Sequence, residues 1–188
     1  PELRAFMPVP VIGVIEPGAR AALASTHSGR VGIIGTEATV RSLAYDQALK
    51  RLDKSVRVFS RACPLFVPLV EEGWLTHDIT GRVARLYLKP LLKNKIDALV
   101  LGCTHYPLLK STLRRVAGRV ELIDSAEETA KAVRSRLEQD GLLLHGRKKG
   151  QVSYFSSDDP EKFARLGSRF IGWPLSKVQR IHLEGIDA

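Results

Sequence analysis

A cysteine and a histidine stand two residues apart directly after an apolar run near the middle of the chain. The run spans residues 96–101 and ends at Gly102, after which Cys103, Thr104 and His105 follow. A short apolar segment bounded by glycine predicts a buried parallel strand, and open α/β sheets bind ligands at the carboxyl ends of such strands. A histidine near a thiol can stabilise the thiolate or orient the thiol. The pattern favours a reactive Cys103, although the alternative of a buried, inert cysteine stays open.

The cysteine and histidine content does not favour a metal centre. The chain has two cysteines, Cys63 and Cys103, and five histidines, without a CxxC pair or an HExxH segment. The ligand spacing of a closed zinc site is therefore missing. Cys63, which stands between alanine and proline, is interpreted as a structural residue.

Two other segments carry polar groups that could join such a site. Thr36 and Thr39 follow an apolar run at residues 31–35, where free amides and hydroxyls at a helix start could hold a carboxylate. The simpler interpretation, that Thr36 only caps the helix, is favoured. Glu71 ends an apolar stretch and could organise a site or bind an ammonium group, although a glutamate in this setting is more often a helix surface residue.

Strand and helix patterns alternate along the whole chain, which is typical of an α/β fold. Ser125 and Glu128 have the spacing of a capping box and predict a helix start, for which Gly141 is a sensible stop. The expected strands are 9–15, 31–35, 55–59, 96–101, 120–124 and 151–155, and the expected helices include 19–25, 40–52, one from Pro107 to about Val116, and a last one opened by Asp158, Asp159 and Pro160.

Composition narrows the class of protein. The chain has 188 residues, of which 44% are hydrophobic and 26% charged, values ordinary for a soluble globular protein. A signal-peptide pattern and an apolar run long enough for a membrane span are both missing, so we expect a cytoplasmic protein with free thiols and no membrane partner. The net charge of +9 is scattered along the chain. Without an aromatic or zinc-finger motif beside it, this charge does not predict a nucleic-acid partner.

Several segments resemble those of one enzyme family, in the same order along the chain. Residues 99–109 are similar to the second cysteine signature of the glutamate racemases, in the aspartate/glutamate racemase superfamily. The segments 11–19, 34–40, 63–71 and 158–160 resemble further blocks of the same family. Together these segments cover nearly the whole chain.

The resemblance implies an amino-acid racemase that interconverts L- and D-glutamate without a cofactor and supplies D-glutamate for peptidoglycan. It implies two pseudo-symmetric α/β lobes with one cysteine from each lobe facing the substrate Cα, and a homodimer when the chain is complete. By position, Cys103 is then a catalytic acid/base, and His105 either assists the thiol or binds a carboxylate. Thr36, Thr39, Thr104 and Glu71 are then substrate-binding residues, with Glu72 as an alternative to Glu71.

The family segment that carries the first cysteine is expected to precede Pro1. The resemblance therefore predicts a remnant of the first lobe and a linker at 1–13, a complete parallel-sheet, three-layer lobe at 14–125 that carries Cys103, and a segment at 126–188 that returns to the incomplete lobe. Cys63 matches a different block, so we predict that this chain alone does not racemise by two thiols. Two alternatives stay open, namely a non-catalytic relative that binds a partner and a racemase of aspartate or another amino acid.

Overall fold

The computed structural model describes residues 2–144 and 150–182. The chain divides into two compact units, Pro1–Leu143 and Leu144–Ala188. The helices of the first unit are α1 (Glu2–Phe6), α2 (Ile15–Ser25), α3 (Glu37–Arg41), α4 (Ala44–Leu52), α5 (Phe66–Glu71), α6 (Asp78–Lys93), α7 (Lys110–Ala117) and α8 (Ser125–Gln139). Its strands are β1 (Arg30–Gly35), β2 (Arg57–Ala62), β3 (Ala98–Gly102) and β4 (Glu121–Asp124), and a 3₁₀ turn covers Tyr106–Leu109.

The four strands of the first unit form one parallel sheet in the order β2-β1-β3-β4. Gly35, the last residue of β1, pairs with Ala62 on one side and with Gly102 on the other. Leu101 of β3 pairs with Asp124, the last residue of β4. The carboxyl ends of all four strands are therefore level, and the segments that follow them lie side by side.

Helices cover both faces of this sheet, as a parallel sheet requires. On one face α2, α4 and the strands share a cluster that includes Ala22, Leu49, Ile33 and Val100, all buried. The alternating residues of the strands are buried as well, with α6 in contact with β2 and packed on α7. The α/β class with a parallel-sheet, three-layer lobe is thus confirmed.

The expected strand at 9–15 is wrong. The structure has no strand among residues 10–14, and α2 begins at Ile15, earlier than the predicted residue 19. An apolar segment becomes a strand only where a neighbouring strand pairs with it, and no pairing of the described strands involves this segment. Pro17 is compatible with the first turn of a helix, and α2 buries Ala19 and Ala22 in the core.

Two further expectations need correction. The helix predicted at 40–52 is interrupted at Leu43, which takes left-handed backbone angles (φ 53°) between α3 and α4. The capping-box interpretation of Ser125 is also wrong, because Asp124 caps α8 by accepting from the amides of Ala126 and Glu127. Ser125 instead bonds to the buried Tyr45 hydroxyl.

The second unit contains β5 (Tyr154–Ser156), α9 (Pro160–Ile171) and β6 (Val178–Arg180), with β5 and β6 parallel. Asp159 caps α9 and Pro160 opens it, as the sequence predicts. Helix α8 packs on α2, β3 and β4 and belongs to the first compact unit. The assignment of 126–188 to an incomplete lobe stays a prediction, and its residues 145–149 and 183–188 lie outside the described part.

Within the described ranges, no helix is both long and apolar enough to cross a bilayer.

Candidate active site

Two glycines bring the ends of the central strands close together. A Cβ on Gly102 would lie 2.9 Å from the Ile34 carbonyl oxygen and 3.0 Å from Cε2 of Tyr45. A Cβ on Gly35 would lie 3.0 Å from the Thr39 side chain, whose Cγ2 is also near Gly102. The residues that follow this glycine pair, Thr36 and Cys103, therefore leave the sheet from adjacent positions.

Cys103 is partly exposed, and three polar donors lie near its thiol. They are the amides of His105 and Tyr106 and the hydroxyl of Thr104, all of which lower the pKa of this thiol. Burial raises the pKa of the Cys103 thiol, and these three donors offset part of that rise. The net direction is upward, so Cys103 is a protonated thiol at neutral pH.

Glu71, His105 and Thr104 form a short polar chain beside this thiol. Oε1 of Glu71, the last residue of α5, lies 3.5 Å from Nε2 of His105. The other ring nitrogen, Nδ1, lies 3.4 Å from Oγ1 of Thr104. Both side chains of the Glu71–His105 pair are partly exposed, so they are accessible to solvent or a ligand.

The two threonines lie at the neighbouring strand end. Thr36 caps α3 by accepting from the Thr39 amide at 3.2 Å, and their hydroxyl oxygens are 3.0 Å apart. The interpretation of Thr36 as a helix cap is therefore confirmed. Substrate binding by Thr36 and Thr39 stays a prediction.

Cys63 stands at the end of β2, on the other side of β1 from Cys103. It is fully buried, and burial raises the pKa of its thiol to about 12. Its carbonyl oxygen accepts from the Tyr106 hydroxyl at 2.9 Å and from the Phe66 amide at 3.1 Å. An inaccessible thiol that stays protonated over the physiological range is a structural residue, as the sequence predicts.

The structure thus brings Cys103, Thr104, His105 and Glu71 to one place, with Thr36 and Thr39 at the adjacent strand end. Sequence reasoning missed Tyr45 and Tyr106, the buried tyrosines next to this group. Both make contacts distant along the chain, to Ser125 and to Cys63, and a single sequence carries no signal for such pairs.

A separate cavity of about 510 Å³ lies between residues 9–13, the first turns of α2, and Ala132 and Arg136 of α8. Cys103 does not line it. Among the described residues, no group of three histidine, cysteine or acidic side chains is arranged to hold a metal ion.

Comparison with known proteins shows the family to which the chain is similar. The profile of the Asp/Glu/Hydantoin racemase family matches residues 1–133. The glutamate racemase of Geobacter metallireducens is 51% identical over 97% of this chain and 68% of its own length. That of Neisseria meningitidis is 46% identical over 93% of this chain and 65% of its own length.

Solved structures give the same assignment. The crystal structure of glutamate racemase isoform RacE1 from Bacillus anthracis matches with a TM-score of 0.87 at 36% identity, over 98% of this chain and 68% of that one. The glutamate racemase of Francisella tularensis, in complex with D-glutamate, matches with a TM-score of 0.83 at 31% identity, over 97% of this chain and 66% of that one. The chain spans about two thirds of the length of these relatives, and it belongs to the Asp/Glu/Hydantoin racemase family.

Proposed function

We propose that this chain carries one of the two proton-transfer thiols of a cofactor-independent glutamate racemase. The observation that supports this most directly is the setting of Cys103. It is a partly exposed thiol at the carboxyl end of a central parallel strand, with two amides, a hydroxyl and the His105–Glu71 pair beside it. The names of the relatives, all glutamate racemases, support glutamate as the substrate.

The proposed step moves one proton at the substrate Cα. In one direction the Cys103 thiolate takes the Cα proton, so that the C–H bond breaks, an S–H bond forms, and the electron pair is delocalised into the adjacent carboxylate. In the other direction the Cys103 thiol returns its proton to that carbanion. The raised pKa keeps the thiol protonated at neutral pH. In its resting state Cys103 is therefore prepared to donate a proton.

The neighbouring polar groups have complementary tasks in this proposal. His105, which lies between Glu71 and Thr104, either assists the thiol as a proton acceptor or binds a substrate carboxylate. Glu71 orients that histidine and is the candidate partner of the substrate ammonium group. The side chains of Thr36, Thr39 and Thr104 are the candidate contacts to the substrate.

Inversion requires a second proton-transfer group on the opposite face of the Cα. Cys63 does not suit that role, because its thiol is fully buried and has a pKa of about 12. We therefore infer that the second thiol is not supplied by these 188 residues and that this chain alone exchanges the Cα proton without inverting the carbon. In the complete protein, the proposed role is to supply D-glutamate for peptidoglycan, as a cytoplasmic homodimer.

Cα proton exchange in D₂O tests the proposal without requiring inversion. The chain is incubated with L- or D-glutamate, and Cα deuterium is measured by mass spectrometry. We expect label in one enantiomer, at a rate that rises about tenfold per pH unit below the pKa of the thiol, because the thiolate is the base. Cys103→Ser should abolish this exchange, whereas Cys63→Ala, the matched control at the buried thiol, should retain it. Equal exchange in the wild type and Cys103→Ser, or no exchange with either enantiomer, would contradict the proposal.

The same assay separates the alternatives. The family description includes aspartate and hydantoins, so exchange that is faster with aspartate or a hydantoin than with glutamate would replace glutamate as the substrate. A non-catalytic binding protein would show no exchange with any of the three. Salt-dependent retention on DNA would then favour the basic surface as its functional feature.

A further inference from the structure

The ring and the hydroxyl of Tyr106 are both held by contacts with other residues. The ring is fully buried and meets Phe66 edge-on, with ring centroids 5.2 Å apart. Its hydroxyl donates to the Cys63 carbonyl oxygen at 2.9 Å. Burial raises the pKa of Tyr106, so the hydroxyl stays neutral and remains a donor. A buried hydroxyl that reaches another strand end holds its own backbone in place as well.

The backbone of Tyr106 meets Cys103 directly. Its amide donates to the Cys103 carbonyl oxygen at 3.2 Å and lowers the pKa of the adjacent thiol. The amide of His105 lowers the pKa of the same thiol. The turn over 103–106 is short, so the position of the Tyr106 backbone determines whether these two amides point at the thiol.

The same ring also connects the two halves of the polar chain. Phe66, which Tyr106 contacts, opens α5, and Glu71 closes that helix. His105, the partner of Glu71, precedes Tyr106 in sequence. The tyrosine therefore links the turn that carries the thiol and histidine to the helix that carries the carboxylate.

We propose that Tyr106 is a positioning residue, whose hydrogen bond to Cys63 holds the 103–106 turn so that the amides of His105 and Tyr106 face the Cys103 sulfur. The inference rests on the proposed function only in taking Cys103 as the proton-transfer group. Tyr106 itself is buried and acts through the turn.

The test measures the thiol and not the racemisation. Tyr106→Phe keeps the ring and its contact with Phe66 but removes the hydroxyl. Alkylation of Cys103 by iodoacetamide is followed across pH by peptide mass spectrometry, which resolves the two cysteines. Weaker amide donation to the thiolate should raise the pH midpoint by about half a unit, so that alkylation below the midpoint slows about threefold.

Thr112→Val is the matched control. Thr112 is also buried, and its hydroxyl donates to a distant backbone carbonyl, that of Leu75, at 2.7 Å. A mere loss of stability would act alike in both variants, so urea unfolding is measured for each. We expect both to be destabilised and only Tyr106→Phe to shift the midpoint.

An unchanged or lowered midpoint in Tyr106→Phe, or an equal shift in Thr112→Val, would overturn the positioning role. The role of Cys103 is tested separately by its serine variant in the exchange assay. The two experiments therefore distinguish a failure of the Tyr106 proposal from a failure of the Cys103 proposal.

Discussion

The ends of β2 and β3 present two cysteines in similar places with opposite properties. Both follow a strand that pairs with β1, and both strand ends are level with Gly35. Cys63 is fully buried and has a thiol pKa of about 12, whereas Cys103 is partly exposed and has three polar donors nearby that lower the pKa of its thiol. A position at the carboxyl end of a parallel strand is therefore insufficient for reactivity, and the donors and exposure around the sulfur make the difference.

The backbone before each cysteine explains part of this contrast. β2 ends in Ala62, whereas β3 ends in Gly102, where a side chain would meet the Ile34 carbonyl and the Tyr45 ring. The glycine lets the chain leave β3 close to β1. The turn that follows then places its amides near Cys103, where they lower the pKa of the thiol.

The largest expected difference between the two strand ends is in thiol chemistry. In the native chain at pH 8, iodoacetamide should modify Cys103 at least about a hundredfold faster than Cys63, because the buried thiol is neither ionised nor accessible. Peptide mass spectrometry gives both rates in one sample, and in urea they should converge. Comparable rates in the native protein would remove the contrast on which the site assignment depends.

The raised pKa of Cys63 should also appear as an alkaline loss of stability. The thiol has its ordinary pKa of 9.0 in the unfolded chain and a pKa of about 12 in the folded chain, so the unfolded state loses its proton first. The stability contributed by the neutral thiol is complete below about pH 9 and is lost as pH rises towards 12. By linkage, the wild type should lose about 2–3 kcal/mol more than Cys63→Ala between pH 8 and 11.

Urea unfolding of both proteins at each pH measures this difference, since other titrating groups are shared. Cys103→Ala is the matched control and should resemble the wild type more closely. If Cys63→Ala and the wild type lost stability in parallel, the buried thiol would not ionise as the structure implies.

Exchanging the residues before the two cysteines sharpens the comparison. Gly102→Ala should cost about 2 kcal/mol, because its Cβ meets a backbone carbonyl that cannot move without disturbing β1. Ala62→Gly should cost less, about 0.5–1 kcal/mol, through the added freedom of the unfolded chain. Urea midpoints give both values. An equal cost at the two positions would show that Gly102 is not required for close approach.

Much of the fold follows from local sequence. The apolar runs that became β1 and β3 are fully buried in the centre of the sheet, and the Asp159-Pro160 pair marks the start of α9 without reference to the rest of the chain. Residues 9–15 failed as a strand because an apolar pattern does not reveal whether a pairing partner exists.

The site shows the same contrast between features that local sequence predicts and features that depend on contacts distant along the chain. Cys103 and His105 are near each other in any structure because they are near in sequence, whereas Glu71 was placed there by a family resemblance. The 3.5 Å approach of Glu71 to His105 depends on packing between α5 and the turn after β3, which spacing along the chain does not specify. Tyr106 and Cys63 are 43 residues apart, so their hydrogen bond was outside the reach of local reasoning.

Substitutions at the end of β4 should have the smallest effect on stability. They also test whether a change at a strand end leaves the ionisation of the Cys103 thiol unaltered. Asp124 caps α8 with Oδ1 and pairs through Oδ2 with the Lys110 ammonium at 2.7 Å. Asp124→Ala should cost about 1 kcal/mol through the lost cap, and Asp124→Asn less, because asparagine caps a helix about as well. Lys110 keeps Glu127 as a partner in both variants.

The alkylation midpoint of Cys103 should be unchanged in both Asp124 variants, since the groups that lower the pKa of the thiol belong to residues 104–106. A shift in that midpoint would mean that the sheet edge as a whole, and not the turn after β3, determines the ionisation of the thiol.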